Sequence, residues 1–538
     1  MIRDNSSHPG PHAPGVARAW LQDFFTSRLR RRLITALGGG QSFSSRAKLL
    51  FSLLIFLISF SIKSLVAVDL QPVMYTIEQP AGGMAYEYHL EAASITDGHG
   101  LLVPDNWDSS DTTLLRHAPG YSIYLAAIYS LVGKSYFNVQ LIQNVMNSLS
   151  AILIFLIAGN LLSWPVGLAT GLLAALSHHF SYYSNFILPD SICALPLLIA
   201  IYFLVITEHG PGRAWRVYAL AGVMIGISIW LRPNTLLMGP YLAALIVMLS
   251  RRRGQTARRA WVIAVAPFLM IAPITIRNHL IFAEFVPVSA NTGIVLWEGI
   301  ADGGGERFGA VDNDKKVAEQ EAVLYDDPRY TESWATPDGI KRDRDRIKRS
   351  LSVIAEHPLW FAGVMLRRAG EMFKYSAQAP LVFKSTDTRL IEAGETARQA
   401  KGREGDRDTD REDKPSARKE SRLRAMAFGE GISWARPIAR TLQRVAKESM
   451  LLFILIGAPV LFFLSRRRWV YIMIVPIYYL LVQSTMHTEF RYTLPMHYFV
   501  FIFAAVTWVL VARAAWVVAR RMAQLRNRNR AEQSAAST

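Results

Sequence analysis

Acids, histidines and tyrosines crowd one stretch of this chain, between its first apolar block and all the others. From Asp69 to Tyr121 it carries Glu78, Glu87, Tyr88, Glu91, Asp97, Asp105, Asp108, Asp111 and His117. Further on, charged residues recur where apolar blocks end: His178 and His179, Asp190, Arg232, Arg277, then His487, Glu489 and Arg491. Charge beside hydrocarbon is costly and tends to mark function. Carboxylates and arginines together suit a reaction on a phosphate-bearing substrate. An arginine fork binds phosphate oxygens two at a time, and a carboxylate can take the proton of an acceptor hydroxyl.

Each of these residues also has a structural reading. Glu87 and Glu91 are four apart and share one helix face, which water alone can explain. Asp190 follows Pro189, where a carboxylate ordinarily caps a helix start. Arg232 and Arg277 suit snorkelling anchors, His178 and His179 suit packing at the membrane interface, and Glu489 with Arg491 suits a local ion pair. Asp105, Asp108 and Asp111 resemble a metal loop loosely, but lack the glycine and final glutamate of a calcium-binding loop. A divalent cation, Mg or Mn, is compatible with the set and not required by it.

What positions them is a set of apolar blocks. The chain has 538 residues, 51% of them hydrophobic, and the apolar ones lie in nearly uncharged runs of roughly 15–24, long enough to cross a bilayer as helices. The expected fold class is an all-α polytopic membrane protein. The net charge is +17, from 59 basic and 42 acidic residues. The basic residues cluster at block ends, as the positive-inside rule requires, so the balance points to a bilayer and away from nucleic acid. One cysteine, Cys193, excludes an intramolecular disulfide and a cysteine-based zinc site.

Positive-inside then sets a topology of about ten spans with both termini cytoplasmic. Residues 1–48 form a basic cytoplasmic segment leading to an uncleaved signal anchor at 49–68, whose Lys63 is expected to snorkel outward. The core is 49–280, with an outer loop at 69–136 in which Tyr121–Val132 lies at the interface. The further spans are 137–162, 165–183, 187–206, 217–231, 234–250 and 261–276. Residues 281–448 form an outer-face region, with an interfacial helix at 357–375 and a disordered charged insert at 392–424. Spans 450–464, 469–483 and 496–518 close the chain before a basic cytoplasmic tail at 519–538. Gln140, Gln143, Asn144 and Asn147 repeat at helical spacing and predict a polar stripe facing protein or a cavity.

In this order the motifs resemble the GT-C membrane glycosyltransferases of the protein O-mannosyltransferase and lipid A aminoarabinose transferase type, glycosyltransferase family 39. The resemblance is carried by Glu87-Tyr88 with Ala92, Gly98-His99-Gly100, His117-Ala118-Pro119-Gly120-Tyr121 with Gly133, and Tyr182-Tyr183 with Pro189-Asp190. Leu231-Arg232-Pro233, Ile276-Arg277-Asn278 with Phe285-Val286-Pro287, and Glu489-Phe490-Arg491-Tyr492-Thr493-Leu494-Pro495 complete it. It covers 49–300 and 450–518. It implies transfer of a sugar from a polyprenyl-phosphate carrier to an acceptor (protein, lipid or polysaccharide) on the outer face of a bacterial cytoplasmic membrane. It gives Glu87 or Glu91 the role of base, with Asp190 assisting. It makes Arg232, Arg277 and Arg491 candidates for the carrier phosphate, with His487 beside them, and leaves Tyr88, His117 and Glu489 as secondary candidates. One departure stands out: members often carry aspartate four residues before the loop tyrosine, and here that position is Met84. The base then moves to Glu87, Glu78 or the 105–111 aspartates, or the chain is inactive on the usual donors. A transporter of lipid-linked sugars and a non-catalytic scaffold are the alternatives; no internal repeat and no midplane charge favours the former.

Overall fold

The computed structural model describes residues 33–38, 43–74, 83–101, 117–207, 214–249, 253–373 and 434–536. Glu78, Asp105, Asp108, Asp111 and the insert 392–424 lie outside the described residues. Among the described residues all regular structure is helical. The first part runs α1 (Ser45–Met74), α2 (Gly83–Thr96), α3 (Gly120–Val132), α4 (Tyr136–Leu161), α5 (Trp164–Leu176), α6 (His178–Tyr183), α7 (Ala194–Thr207), α8 (Ala214–Leu231), α9 (Met238–Leu249) and α10 (Arg253–Phe282). The stretch after α10 supplies α11 (Thr292–Ile300), α12 (Asp314–Leu324), α13 (Gly339–Glu356) and α14 (Pro358–Met372). The chain closes with α15 (Ala435–Leu464), α16 (Arg466–Ser484) and α17 (Leu494–Ala536).

Five stretches are long and apolar enough to cross a membrane: Ser45–Leu70, Tyr136–Leu161, Ala257–Phe282, Ala435–Leu464 and Phe490–Asn527. Four of them contain an expected span, and Tyr136–Leu161 covers all but the last residue of the span at 137–162. The apolar helices at Trp164–Leu176, Ala194–Ile206, Trp215–Leu231 and Pro233–Leu249 are shorter; at thirteen residues the first reaches only about 20 Å.

The long helices pack closely because small residues let their backbones meet. A Cβ on Gly457 would lie 1.9 Å from the Phe503 carbonyl oxygen, so α15 and α17 touch main chain to main chain. A Cβ on Gly120 would lie 2.4 Å from the Trp230 carbonyl oxygen, which sets the start of α3 against the end of α8. That contact brings the His117–Tyr121 turn beside Arg232.

Four expectations change. The span at 165–183 is broken at Ser177, whose hydroxyl accepts from the Phe180 N–H and caps the short α6. The span at 187–206 begins only at Ala194, so Asp190 caps no helix and sits in a non-helical run. Lys63 does not snorkel: it is fully buried and its ammonium donates to Ser59 Oγ at 2.8 Å. The division at 448/449 falls inside α15, and that at 518/519 inside α17. In each of these two helices the apolar block continues, without a breaker, into a charged amphipathic stretch.

Helices α11 to α14 have their own core of Ile294, Trp297, Ile300, Val317 and Phe361. Glu321, fully buried, accepts from Arg342 (2.8 Å), Arg346 (2.7 Å) and Arg349 (2.9 Å). Asp343 Oδ1 accepts from the Gly293 N–H at 2.7 Å and holds the start of α11. On α14, paired arginines divide: Arg368 turns inward to donate to the Ser484 carbonyl at 3.2 Å and to that of Gly299, while Arg367 and Leu366 face outward.

Candidate functional site

The first outer stretch and the end of α8 build one polar cluster. Glu87 and Tyr88 lie on α2, one turn from Glu91. Glu87 Oε2 is 2.6 Å from His117 Nε2, with His117 9% and Glu87 30% exposed. The His117 ring packs on Tyr88 at 4.7 Å between centroids, and Tyr88 meets the edge of Tyr121 at 4.9 Å. The two acids share a helix face, as their spacing predicts, but not an environment. Glu91 is buried and accepts a hydrogen bond from the Ser122 hydroxyl on α3; Glu87 keeps an open side.

The second wall is Asp190 and Arg232. Asp190 Oδ1 accepts from Arg232 Nη1, with the carboxylate 3% and the guanidinium 20% exposed. Asp190 Oδ2 has no hydrogen-bond partner among the described residues. The Arg232 guanidinium lies 4.1 Å over the Tyr492 ring. Beside it Arg491 donates to Glu489 at 2.8 Å and feels the Asp190 charge. Tyr88 joins the two walls. Burial pushes its phenol well above the ordinary value, Arg232 pulls it down, and Glu91, Asp190 and Glu87 raise it further. Tyr88 thus stands close to the two acids of α2, to Asp190 and to Arg232, and the start of α3 meets the end of α8 at Gly120 and Trp230, so the two walls face each other.

Asp190 is held there by the polar stripe of α4. Gln140 donates to the Asn185 carbonyl at 2.8 Å, and Gln143 donates to the Ser184 and Phe186 carbonyls at 2.9 Å each. Asn144 donates to Asn185 Oδ1 at 3.0 Å and Asn147 to Ser191 Oγ at 3.3 Å. Backbone groups of the non-helical run at 184–193 thus find side-chain partners, as buried backbone must. The predicted stripe faces protein.

The other candidates take no part in these two pairs, although the His179 ring packs on Phe490 at 4.1 Å. Arg277 donates to the Leu101 carbonyl at 3.1 Å and to Asn278 Oδ1. His178 and His179 are buried, with rings 4.0 Å apart. His487 pairs with Asp302 in a second acidic corner with Glu298 and Asp314. The hydrogen bond to Asp302 raises His487, against the lowering effect of burial. Burial, with Asp314 alongside, pushes the Glu298 carboxyl up to about 8. Among the described residues no three His, Cys, Asp or Glu gather as a metal site. Sequence reasoning missed Ser122 and Asp302 as site neighbours; Tyr121 carried a signal as the end of the His117–Tyr121 motif, and Gln143 through its place in the stripe. Met84, where members often carry aspartate, packs into the apolar cluster with Tyr88 and Tyr121.

Among solved structures, the chain is similar to the oligosaccharyltransferase of Archaeoglobus fulgidus in its apo form, at 13% identity and a TM-score of 0.43, covering 91% of this chain and 52% of that one. It is similar to the same protein in complex with Zn and sulfate, at 13% and 0.40, covering 85% and 49%. It is also similar to ArnT of Cupriavidus metallidurans in the apo state, at 13% and 0.31, covering 79% and 72%. The chain spans about half the length of the archaeal structures. No curated protein matches. The resemblance read from the motifs meets a family match: residues 116–276, which hold His117, Tyr121, Gln143, Asp190 and Arg232, match the family of dolichyl-phosphate-mannose-protein mannosyltransferases.

Proposed function

We propose that this chain is an inverting membrane glycosyltransferase. It moves a sugar from a polyprenyl-phosphate donor to an acceptor hydroxyl at the outer face of the cytoplasmic membrane. The observation that carries this reading is the pairing of Glu87 with His117 at 2.6 Å in the pocket that also holds Asp190 and Arg232.

The acceptor oxygen attacks the anomeric carbon, and the bond from that carbon to the carrier phosphate breaks. The acceptor proton passes to the Glu87 carboxylate, which the His117 ring holds in place. The leaving prenyl phosphate gains charge, and the guanidinium groups of Arg232 and Arg491 meet it. Asp190 keeps Arg232 aimed, and the Tyr492 face stacks against its planar fork. Among the described residues no three His, Cys, Asp or Glu gather to hold a divalent cation, and the steps above use this chain's own side chains. The match at 116–276 supports this substrate class; the sugar and the acceptor remain to be chosen by assay.

The test is transfer of radiolabelled sugar in membranes carrying the wild type or Glu87→Gln, supplied with a panel of polyprenyl-phosphate sugars. Product from wild type alone is the expected result. Equal product from both removes Glu87 from the role of base, and no product from folded wild type with any donor overturns the transferase reading.

A further inference from the structure

The two walls of the pocket come from parts of the chain far apart in sequence. The base side is α2, the His117 turn and the start of α3. The arginine side is the 184–193 run and the end of α8. One residue bonds to both. Gln143 is fully buried on α4. Its amide nitrogen donates to the Ser184 and Phe186 carbonyls at 2.9 Å each, and its amide oxygen accepts from the Tyr121 hydroxyl at 2.6 Å. Both N–H donors are used, and the oxygen is engaged.

From Tyr121 the contacts run to the base. Its ring meets the edge of Tyr88, Tyr88 packs on His117, and His117 pairs with Glu87. From Ser184 and Phe186 the backbone runs on within a few residues to Asp190, whose carboxylate pairs with Arg232. The neighbouring amides Gln140, Asn144 and Asn147 bind the same run; Gln143 in addition reaches α3.

We propose that Gln143 is the tie that sets the Glu87–His117 pair against the Asp190–Arg232 pair, a positioning residue for the transfer. The proposal rests on the transferase reading for its purpose but not for its test. Losing the amide would leave two carbonyls and a phenol buried without partners, and buried unsatisfied groups are expensive. The run would then open locally while the rest of the bundle stays closed.

The single cysteine supplies the readout. Cys193 ends the run, is buried, and its thiol donates to the Asp190 carbonyl at 3.2 Å. Its rate of modification by a small methanethiosulfonate reports opening around Asp190, without reference to activity. We compare the full chain in detergent as wild type, Tyr121→Phe, Gln143→Leu, the double variant and Tyr129→Phe. Tyr129 lies on the same α3, but its hydroxyl meets His89 at 3.0 Å. Gln143→Leu is expected to speed labelling on the order of tenfold, and Tyr121→Phe several-fold, although it alters the opposite wall. The double variant should be no faster than Gln143→Leu, and Tyr129→Phe should match the wild type.

Labelling of Tyr121→Phe at the wild-type rate overturns the proposal. So does equal acceleration by Tyr129→Phe, which would mean general loosening of α3. Where Gln143→Leu does not accumulate, Tyr121→Phe decides alone. The same variants, assayed with polyprenyl-phosphate mannose, should lose kcat with KM held. A wild type that transfers nothing from any donor overturns the transferase reading, and labelling still judges the tie.

Discussion

At the scale of the residue, the two acids of α2 separate by environment. Glu87 is open on one side and paired with His117, while Glu91 is buried against Ser122. A general base needs reach to the acceptor, so Glu87→Gln should cost transfer on the order of 10²–10⁴-fold, whereas Glu91→Gln should act mainly on stability. Initial rates and thermal midpoints measured together separate the two; a Glu91→Gln enzyme with normal stability and no transfer would reverse the assignment. On the opposite wall Arg232→Lys keeps the charge and loses the planar fork stacked on Tyr492, so donor KM should rise with little loss of fold. Unchanged KM would take Arg232 off the phosphate. The sequence displayed these residue types and their order, because charge beside hydrocarbon is conspicuous. It could not display which acid is open, since Ser122 lies thirty-one positions from Glu91 and nothing in its type announces the contact.

At the scale of the element, helices were legible where uninterrupted apolar runs made them, and their breaks were not. The residues from Ser177 to Tyr183 read as the end of a span, yet Ser177 caps a separate turn of helix. The run before Ala194 loses helical bonding because α4 offers side-chain amides in exchange, a tertiary choice that local propensity does not record. The stretch from α11 to α14 carries two predictions of its own. Glu321 holds three arginines with no exposure, so Glu321→Gln should destabilise that region by about 3–5 kcal/mol. Limited proteolysis between residues 313 and 356 should accelerate; an unchanged cleavage rate would show that the arginines find other partners. The second prediction is a pH dependence. Glu298 has its ordinary value of 4.5 raised to about 8, so the folded state holds its proton where the unfolded chain releases it. Its stabilising effect is full below 4.5 and is lost as pH rises toward 8. His487 is raised from 6.5 by Asp302, so its contribution is likewise present below 6.5 and lost as pH rises. Both groups act in one direction, and the 295–305 segment should loosen as pH rises from about 4.5 to about 8. Hydrogen exchange there, corrected for intrinsic rate, should quicken in the wild type and respond less in Glu298→Gln. A flat wild-type profile would remove both groups from the stability of this corner.

At the scale of the molecule, the question is which helices cross. Counting only the five long stretches would place Glu87 and Asp190 on opposite sides of the membrane, because only Tyr136–Leu161 would cross between them. Yet Asp190 and Arg232 act on Tyr88 in one pocket, and the Gly120 turn touches Trp230. Residues that share a pocket need an even number of crossings between them. That favours α4 with α5, α7 with α8, α9 with α10, and α15 with α16 as crossing pairs, which with α1 and α17 restores about ten spans. The shortness of α5 and α7 then has a consequence. On that count, helices of about 20 Å would not fill a hydrocarbon core of about 30 Å, and the pocket would lie below the outer surface. The two counts differ at the end of the chain: an odd number of crossings puts the basic stretch after Arg520 outside, and an even number puts it inside. Alkaline phosphatase, active only outside, should be active when fused after Asn313 and inactive when fused after Arg468 or Arg521. Activity after Arg521 would take α16 out of the membrane and sink the even count. Inactivity there, joined to activity after Asn313, would leave the pocket facing outward, where a lipid-linked sugar meets its acceptor.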